Sequence, residues 1–578
     1  DALTTGDQNV AVGTGALSTD DVGKFSTAIG YAALNAQNFA TATNAYNVAV
    51  GHSAGLSVTT GVQNTIIGAL AGDALTDADV NTAVGYFALG TDTLGSRSTA
   101  FGYAALALQN FTTATDTFNT AVGYSAGAAV TTGTSNTLIG GLAGDALTTG
   151  ANNVALGMGA LSTEDTGARS IAIGVNALGQ QNNDGNNYNV AVGHAAGNNV
   201  TTGLYNVLVG GLAGDALTTG GDNIAAGLNA LGADTKGSNS IAIGSNALRD
   251  QNFTTATNAY NVAIGTSAGV LVTTGIRNTL IGGLAGDALT SANQNVAIGY
   301  LALSADTQGE NNIAIGANAL AAQNFTTSTQ SMNVAIGRDA GGAVTTGTNN
   351  VIIGGLAGDA LTDADLNVAV GDNALSADTL GSRSTAIGRS ALSSQNFTTA
   401  TDTYNTAVGF NAGTAITTGT RNTIVGGLAG DSLTTGQKNV AIGTGALSDD
   451  DVGSRSVAVG DSALAAQNFA TATDTYNTAV GNNAGLAVTT GVRNVLIGGL
   501  AGDALTDADI NVAVGYQSLS ADTLGSRSVA IGPFALQAQN FTTATSSYNV
   551  AVGADAGLSV TTGTFATLVG GLAGDSLT

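Results

Sequence analysis

The sequence predicts an all-β chain wound as a parallel β-roll or β-solenoid of about 32 rungs, and three observations carry that prediction. The first is a short alternating frame, Asn47-Val48-Ala49-Val50-Gly51. Val48 and Val50 fall on one face of a strand and Ala49 on the other, because strand side chains have period two. Asn can bond neighbouring backbone at the strand entrance, and Gly51 permits a turn that a Cβ would resist. The second is its return: the first module alone holds it at Asn9 to Gly13, Ser26 to Gly30, Asn47 to Gly51 and Asn64 to Gly68. The third is composition. The 578 residues include 84 Gly, one proline (Pro533), no Cys and no Trp, and are 43% hydrophobic but 9% charged. Much of the apolar content is Ala, so the chain can bury only a thin core, as a solenoid does.

Taken in order, the chain is a repeat array with no shift of composition that would mark separate domains. The landmark Asp-Ala/Ser-Leu-Thr falls at Asp1, Asp73, Asp145, Asp215, Asp287, Asp359, Asp431, Asp503 and Asp575, in steps of 72 with one of 70. Eight modules follow: 1–72, 73–144, 145–214, 215–286, 287–358, 359–430, 431–502 and 503–574, with the next beginning at 575–578. Strand-ending Gly13, Gly30, Gly51, Gly68 and Gly85 are spaced 17, 21, 17 and 17, which makes four rungs per module. At the usual strand spacing the stack is expected to be a rod roughly 150 Å long. The third module is shorter because residues 180–187 replace the usual Gln-Asn-Phe-Thr-Thr loop, so the longest connection is expected at the surface. Polar corners such as Asp92 to Arg97 and Thr131 to Gly133 separate the strands. No polar cap precedes the first landmark or follows the last, which points to a slice of a longer chain or to ends that stack on further subunits.

Charge excludes some partners. With 39 acidic and 14 basic residues the net charge is −25, so nucleic acid is not an expected partner. No run of about 18 apolar residues could span a membrane, and the first residues are no signal peptide. Absence of Cys suits an exterior location.

Nothing in the sequence assembles a catalytic site, because departures from the repeat recur in every module instead of gathering in one cleft. The only histidines, His52 and His194, share one exposed turn position. No Cys/His cluster exists to hold a transition metal, and no cofactor is expected. Gly282 to Leu289 partly matches a calcium-binding nonapeptide, but Ala285 replaces a required Gly and the match comes once per module, so a structural turn is expected. Corners such as Asp77 and Asp79, or Asp507 and Asp509, remain open to loose calcium binding. Thr112-Thr113-Ala114-Thr115 recurs only every fourth rung, about 19 Å apart, too sparse for an ice lattice. Asn110-Phe111-Thr112 fits a glycosylation acceptor and recurs at Asn252, Asn324, Asn396 and Asn540, but Ala40 and Ala470 break the triplet. Arg97, Arg169, Arg383, Arg455 and Arg527 occupy one corner, each near Asp92, Glu164, Asp378, Asp450 or Asp522, and these pairs are expected to fix register. With two histidines in the chain, pH above the carboxylate range is expected to matter little to the fold.

The frame also carries a resemblance. Asn81-Thr82-Ala83-Val84-Gly85-Tyr86-Phe87-Ala88 and Ser170-Ile171-Ala172-Ile173-Gly174-Val175-Asn176-Ala177 resemble the head repeats of trimeric autotransporter adhesins, which are also found in phage tail-fibre-like proteins. The resemblance runs over essentially the whole chain. It implies a left-handed β-roll with three identical chains packed side by side. The rungs of 17 and 21 residues are longer than is usual there, and neither a coiled-coil stalk nor a membrane anchor lies in these residues.

The expected role is mechanical: an extracellular, adhesin-like rod or filament subunit on a cell or virion surface. Its expected partners are its own copies, as a homotrimer and in a head-to-tail filament, and a cell-surface receptor or glycan. Two rivals stay open: a phage tail fibre, and a polysaccharide-processing β-helix enzyme, which would need one non-repeated acidic cleft. Candidate residues are of two kinds. The middle strand position is Ala in most rungs but Ile66, Leu138, Leu208, Leu280, Ile352, Ile424, Leu496 and Leu568 in the fourth, and these are expected to plug the contact between chains. Phe39, Phe111, Phe253, Phe325, Phe397, Phe469 and Phe541 lie on the long connection, which is expected to project with its ring tucked against the roll or a neighbouring chain.

Overall fold

A computed structural model describes residues 4–578; the landmark copy at Asp1 lies outside the described residues. Two compact units, Asp1–Ser291 and Ala292–Thr578, divide the chain. Each is a parallel β-solenoid, and no helix occurs among the described residues. The first unit holds sixteen three-residue strands from Val10–Val12 to Thr279–Ile281, and the second another sixteen from Val296–Ile298 to Thr567–Val569. Within each unit a strand pairs in parallel with the next copy of the frame. Ala100 lies beside Ala121, and Ala121 beside Leu138, so the offsets of 21 and 17 in the register are the glycine spacings of the sequence. In the third module Ile171 meets Val190, an offset of 19, so the deletion leaves the strands in step.

A second, two-residue ladder closes each long rung where the connection turns back. Gly95–Ser96 pairs with Thr115–Asp116, and equivalent pairs recur in the other modules with the long loop. In the shortened module it shrinks to a single bridge between Ala168 and Asn186.

The strand-ending glycines are required by both conformation and space. Gly123 has φ +139, and a Cβ built on it would sit 2.5 Å from the carbonyl oxygen of Gly140 in the next rung. The corners that follow use residues a turn rule does not favour. Leu89 and Leu106 have φ 53 and 48, left-handed conformations that strain a branched side chain. In-register backbone bonds hold them there: the Leu89 N–H donates to Ala105 O at 3.0 Å and the Leu106 N–H to Ala126 O at 3.1 Å. Both leucines are fully buried.

The strand faces are opposite to those the plug expectation needs. The middle residue of each frame points into the roll: Ala28, Ala49, Ala83 and Ala100 are fully buried. Ile66, Leu138, Leu208, Leu280, Ile352, Ile424 and Leu496 are likewise 0% exposed within a single chain, and Leu568, in the last strand, is half-buried. These residues therefore cannot plug a contact between chains. They fill their own core, and the reason lies at the corners. First and second rungs carry a left-handed Leu, such as Leu89 and Leu106, whereas third and fourth rungs carry Gly there, such as Gly127 and Gly144. A Cβ on Gly127 would meet Leu138 Cδ1 at 2.6 Å, and one on Gly144 would meet Leu138 Cδ2 at 2.8 Å. The large fourth-rung side chain thus occupies the volume that two glycine corners leave.

Leu138→Ala should destabilise the second module by about 2–5 kcal/mol, because the backbone trace that the stack fixes, at Gly127 and Gly144 among others, cannot collapse into the space left among Leu106, Val130 and Leu147. Hydrogen exchange of the amides of residues 120–160 measures it; unchanged protection there would place Leu138 outside the core.

Candidate functional site: a buried carboxylate seam and two exposed ladders

Inside the roll, a polar seam runs beside the apolar one. The Asn that opens most strands is buried and bonds the rungs together, while the second strand of most modules opens on a buried Ser, as at Ser98. Asn119 Nδ2 donates to Gly133 O at 2.7 Å, while its Oδ1 accepts the Asn136 N–H at 2.9 Å. Asn136 repeats both bonds one rung on, with Gly150 and Asn153. Every such Asn is thereby satisfied along the stack, as a buried amide must be.

At each long rung a carboxylate joins the seam. Asp92 is fully buried; its Oδ1 accepts the N–H of Gly95 at 3.1 Å and of Phe111 at 3.0 Å, and its Oδ2 accepts Gln109 Nε2 at 2.5 Å. Gln109 also donates to Ser98 Oγ at 2.8 Å and accepts Asn119 Nδ2 at 2.9 Å. Asp20, Glu164, Asp234, Asp306, Asp378, Asp450 and Asp522 hold the same place, all fully buried. Glu164 belongs to the shortened module, where no Phe is present. Its longer side chain reaches the Gly167 N–H at 2.8 Å and Gln181 Nε2 at 2.8 Å, and also takes Asn187 Nδ2 at 3.0 Å. One added methylene and an Asn replace the lost ring.

This seam corrects the expected ion pairs. Arg97 sits at a left-handed position on the outer rim, and the acids Asp92, Glu164, Asp378, Asp450 and Asp522 point inward. Arg97 Nε instead meets Asp116 Oδ1 at 3.1 Å, Arg383 meets Asp402 at 3.2 Å and Arg455 meets Asp474 at 3.1 Å. Each guanidinium also lies over an aromatic ring one rung on: Arg97 over Phe118, Arg383 over Tyr404 and Arg455 over Tyr476, at 5.7, 5.7 and 5.3 Å. Arg169 and Arg527 stack on Tyr188 and Tyr548. Such exposed pairs contribute roughly 0–1 kcal/mol each.

Phe39, Phe111, Phe253, Phe325, Phe397, Phe469 and Phe541 are 5–7% exposed. Phe253 and Phe541 lie over Gly237 and Gly525 of the preceding rung, so the ring packs on its own chain while the threonines beyond it stay in water.

Outside, three rows run along each unit. The residues flanking the buried middle position form the first: Val, Ile or Thr before it, and an apolar residue after it, at every strand. Many are half-exposed, Ile29, Ile243, Ile387 and Ile531 among them at 38–39%. The second row is the rim of Arg and aromatic residues before the strand. A shallow groove between these two is lined by Asp222, Ile224, Asn239, Ile241, Tyr260 and Val262. The third row follows the strand-ending glycine and includes Tyr86, Tyr103 and Tyr124. His52 and His194 belong to it, both exposed, with His52 stacked on Tyr31 at 5.1 Å.

The landmark acids stand apart from the seam. Oδ1 of Asp73, Asp145, Asp215, Asp287, Asp359, Asp431 and Asp503 is buried without a hydrogen-bond partner, and burial raises each of these carboxyls above its usual range. No group of three His, Cys, Asp or Glu side chains able to hold a metal occurs among the described residues. No helix of the described residues is long and apolar enough to cross a membrane. Neither a family model nor a curated protein matches the chain.

Sequence reasoning missed the buried acids, and they give the fold a pH dependence that histidine counting does not. Burial pushes Asp450 up to about 6, against the opposing bonds from Gln467 and the Gly453 N–H, and it raises Asp234 and Asp306 as well. An acid with a raised folded pKa binds its proton more tightly folded than unfolded. Its contribution is complete below the unfolded value near 3.9 and is lost as pH rises through about 6, a change of roughly 2–3 kcal/mol for Asp450. The urea midpoint of the seventh module should therefore be higher at pH 5 than at pH 7, and Asp450→Asn should shrink that difference. Equal midpoints at the two pH values would show that the carboxylate is not held in a dry interior.

Proposed function

We propose that this chain is a structural subunit of an extracellular fibre, an adhesin-like rod, in which three copies pack side by side on their outer strand faces. One observation carries the reading: both outward positions of the frame are apolar or β-branched at every strand, in both units, and they are half-open to water in a lone chain. Parallel sheets are ordinarily covered on both faces, and a continuous apolar surface well beyond a few hundred Å² marks a contact. The acidic surface that remains, with a net charge of −25, keeps assembled rods apart. Three as the number of copies rests on the resemblance to trimeric adhesin heads. A rod of identical modules offers many equal, weak contacts, which is how a fibre holds a surface without one tight site.

Mass photometry of the purified chain tests this. The expected particle has three times the 56.0 kDa of one chain. Ile243→Asp with Ile387→Asp places a charge on the outer face of each unit and should release single chains whose circular dichroism is unchanged. A wild-type chain that stays single at micromolar concentration would overturn the reading.

A further inference from the structure

The third surface row is a ladder of side chains in register, and in the fourth rung of most modules it lacks a member. In the second module Tyr86, Tyr103 and Tyr124 stack with ring centroids 5.3 Å apart at both steps and interplanar angles of 18° and 11°. The next residue of the row is Gly141 and the one after it Met158. The backbone does not break step: the Leu142 N–H donates to Tyr124 O at 2.9 Å and the Gly159 N–H to Gly141 O at 3.0 Å. Between the outer face of Tyr124 and the side chain of Met158 lies a slot two strand spacings wide, about 10 Å, with a glycine floor. Its walls are open to water, Tyr124 being 61% and Met158 58% exposed. A Cβ on Gly141 would meet nothing within 4 Å. In the second unit the slot recurs between Phe410 and Thr444 over Gly427, which likewise has nothing within 4 Å.

We propose that these slots receive the guanidinium groups of a basic, arginine-bearing polypeptide. Width admits one flat group, since a ladder step of 5.3 Å on each side fills the gap. The chain itself shows which flat groups its rings accept. In the second unit the other face of Phe410 carries the guanidinium of Arg389 at 5.7 Å, and five rings on the opposite rim are covered by arginine. Charge chooses between an arene and a cation: the chain carries −25 overall, which favours a cationic partner. An ammonium fits less well than a guanidinium, because lysine is a compact, strongly hydrated point charge and does not stack as a plane. The inference goes beyond the fibre reading and holds for one chain or three.

The experiment titrates the full chain with hexa-arginine and with hexa-lysine at one ionic strength. The arginine peptide should bind roughly tenfold more tightly. Gly141→Tyr with Gly427→Phe completes both ladders on backbone that lies outside the left-handed region. That variant should bind both peptides with the affinity the wild type shows for hexa-lysine. Gly141→Ala with Gly427→Ala leaves the slots open and should keep the preference, and Tyr124→Leu with Phe410→Leu, which removes the ring faces, should lose it. Equal affinity of the wild type for the two peptides, or a preference that survives in the ladder-filled chain, would overturn the proposal. Neither result bears on chain mass, so the fibre reading fails or stands separately.

Discussion

Each rung of a parallel stack has to lay the same backbone trace on the one before it, within hydrogen-bonding distance at every step. Once that is imposed, most residue choices in the chain have a cause. Carbonyl oxygens of successive strand-ending glycines come so close that no Cβ is admitted, as Gly123 against Gly140 shows. Opening asparagines must each give and receive in the direction of the stack, and an Asn side chain, with one acceptor and two donor hydrogens, does both. Corner residues are held left-handed by bonds from neighbouring rungs, so a Leu can occupy a conformation it would avoid alone.

A fixed trace also fixes the cross-section, so side-chain volume must be conserved from rung to rung. Where corners carry Leu the strand carries Ala, and where two successive corners carry Gly the strand between them carries Ile or Leu. Polar volume follows the same rule. The exchange of Asp for Glu at 164 accompanies loss of the Phe-bearing loop, and the longer acid with Asn187 fills the place of the ring. Buried carboxylates with no cation beside them are costly unless several donors converge on them, and three do so on Asp92.

Much of this was legible in the sequence and some was not, for reasons that can be stated residue by residue. Periodicity of the glycines located the strands and their offsets, including the shortened rung at Ile171 and Val190. The tucked position of Phe111 and its counterparts also follows from keeping a large ring out of water. Alternation placed Val48 and Val50 opposite Ala49 but does not say which face is inside, and bulk pointed to the wrong one. A thin roll has room for Ala within, so its larger β-branched residues stand outside. Left-handed Leu corners were invisible because turn reasoning looks for Gly, Asn and Asp. The seam was missed because Asp92 lies five residues before Arg97, and spacing alone paired them; one faces inward and the other outward from a single bend.

What the repeat leaves free is therefore informative. Strand-ending glycines are the same in every module and inward positions vary only among residues of like kind, because the stack demands it, and the outward strand rows are nearly as uniform. The row after the strand-ending glycine is under no such demand: it holds Tyr124, His194, Phe410 and Asn482 at equivalent third-rung places. Yet the rung that follows keeps a glycine beside each of them, Gly141, Gly211, Gly427 and Gly499, although at Gly141 and Gly427 a side chain would meet nothing. Neither backbone conformation nor packing explains small residues at those two places. The slots proposed beside Tyr124 and Phe410 would give those two glycines a use, room beside an exposed ring, although the same glycine also stands beside Thr266, Arg338 and Asn482.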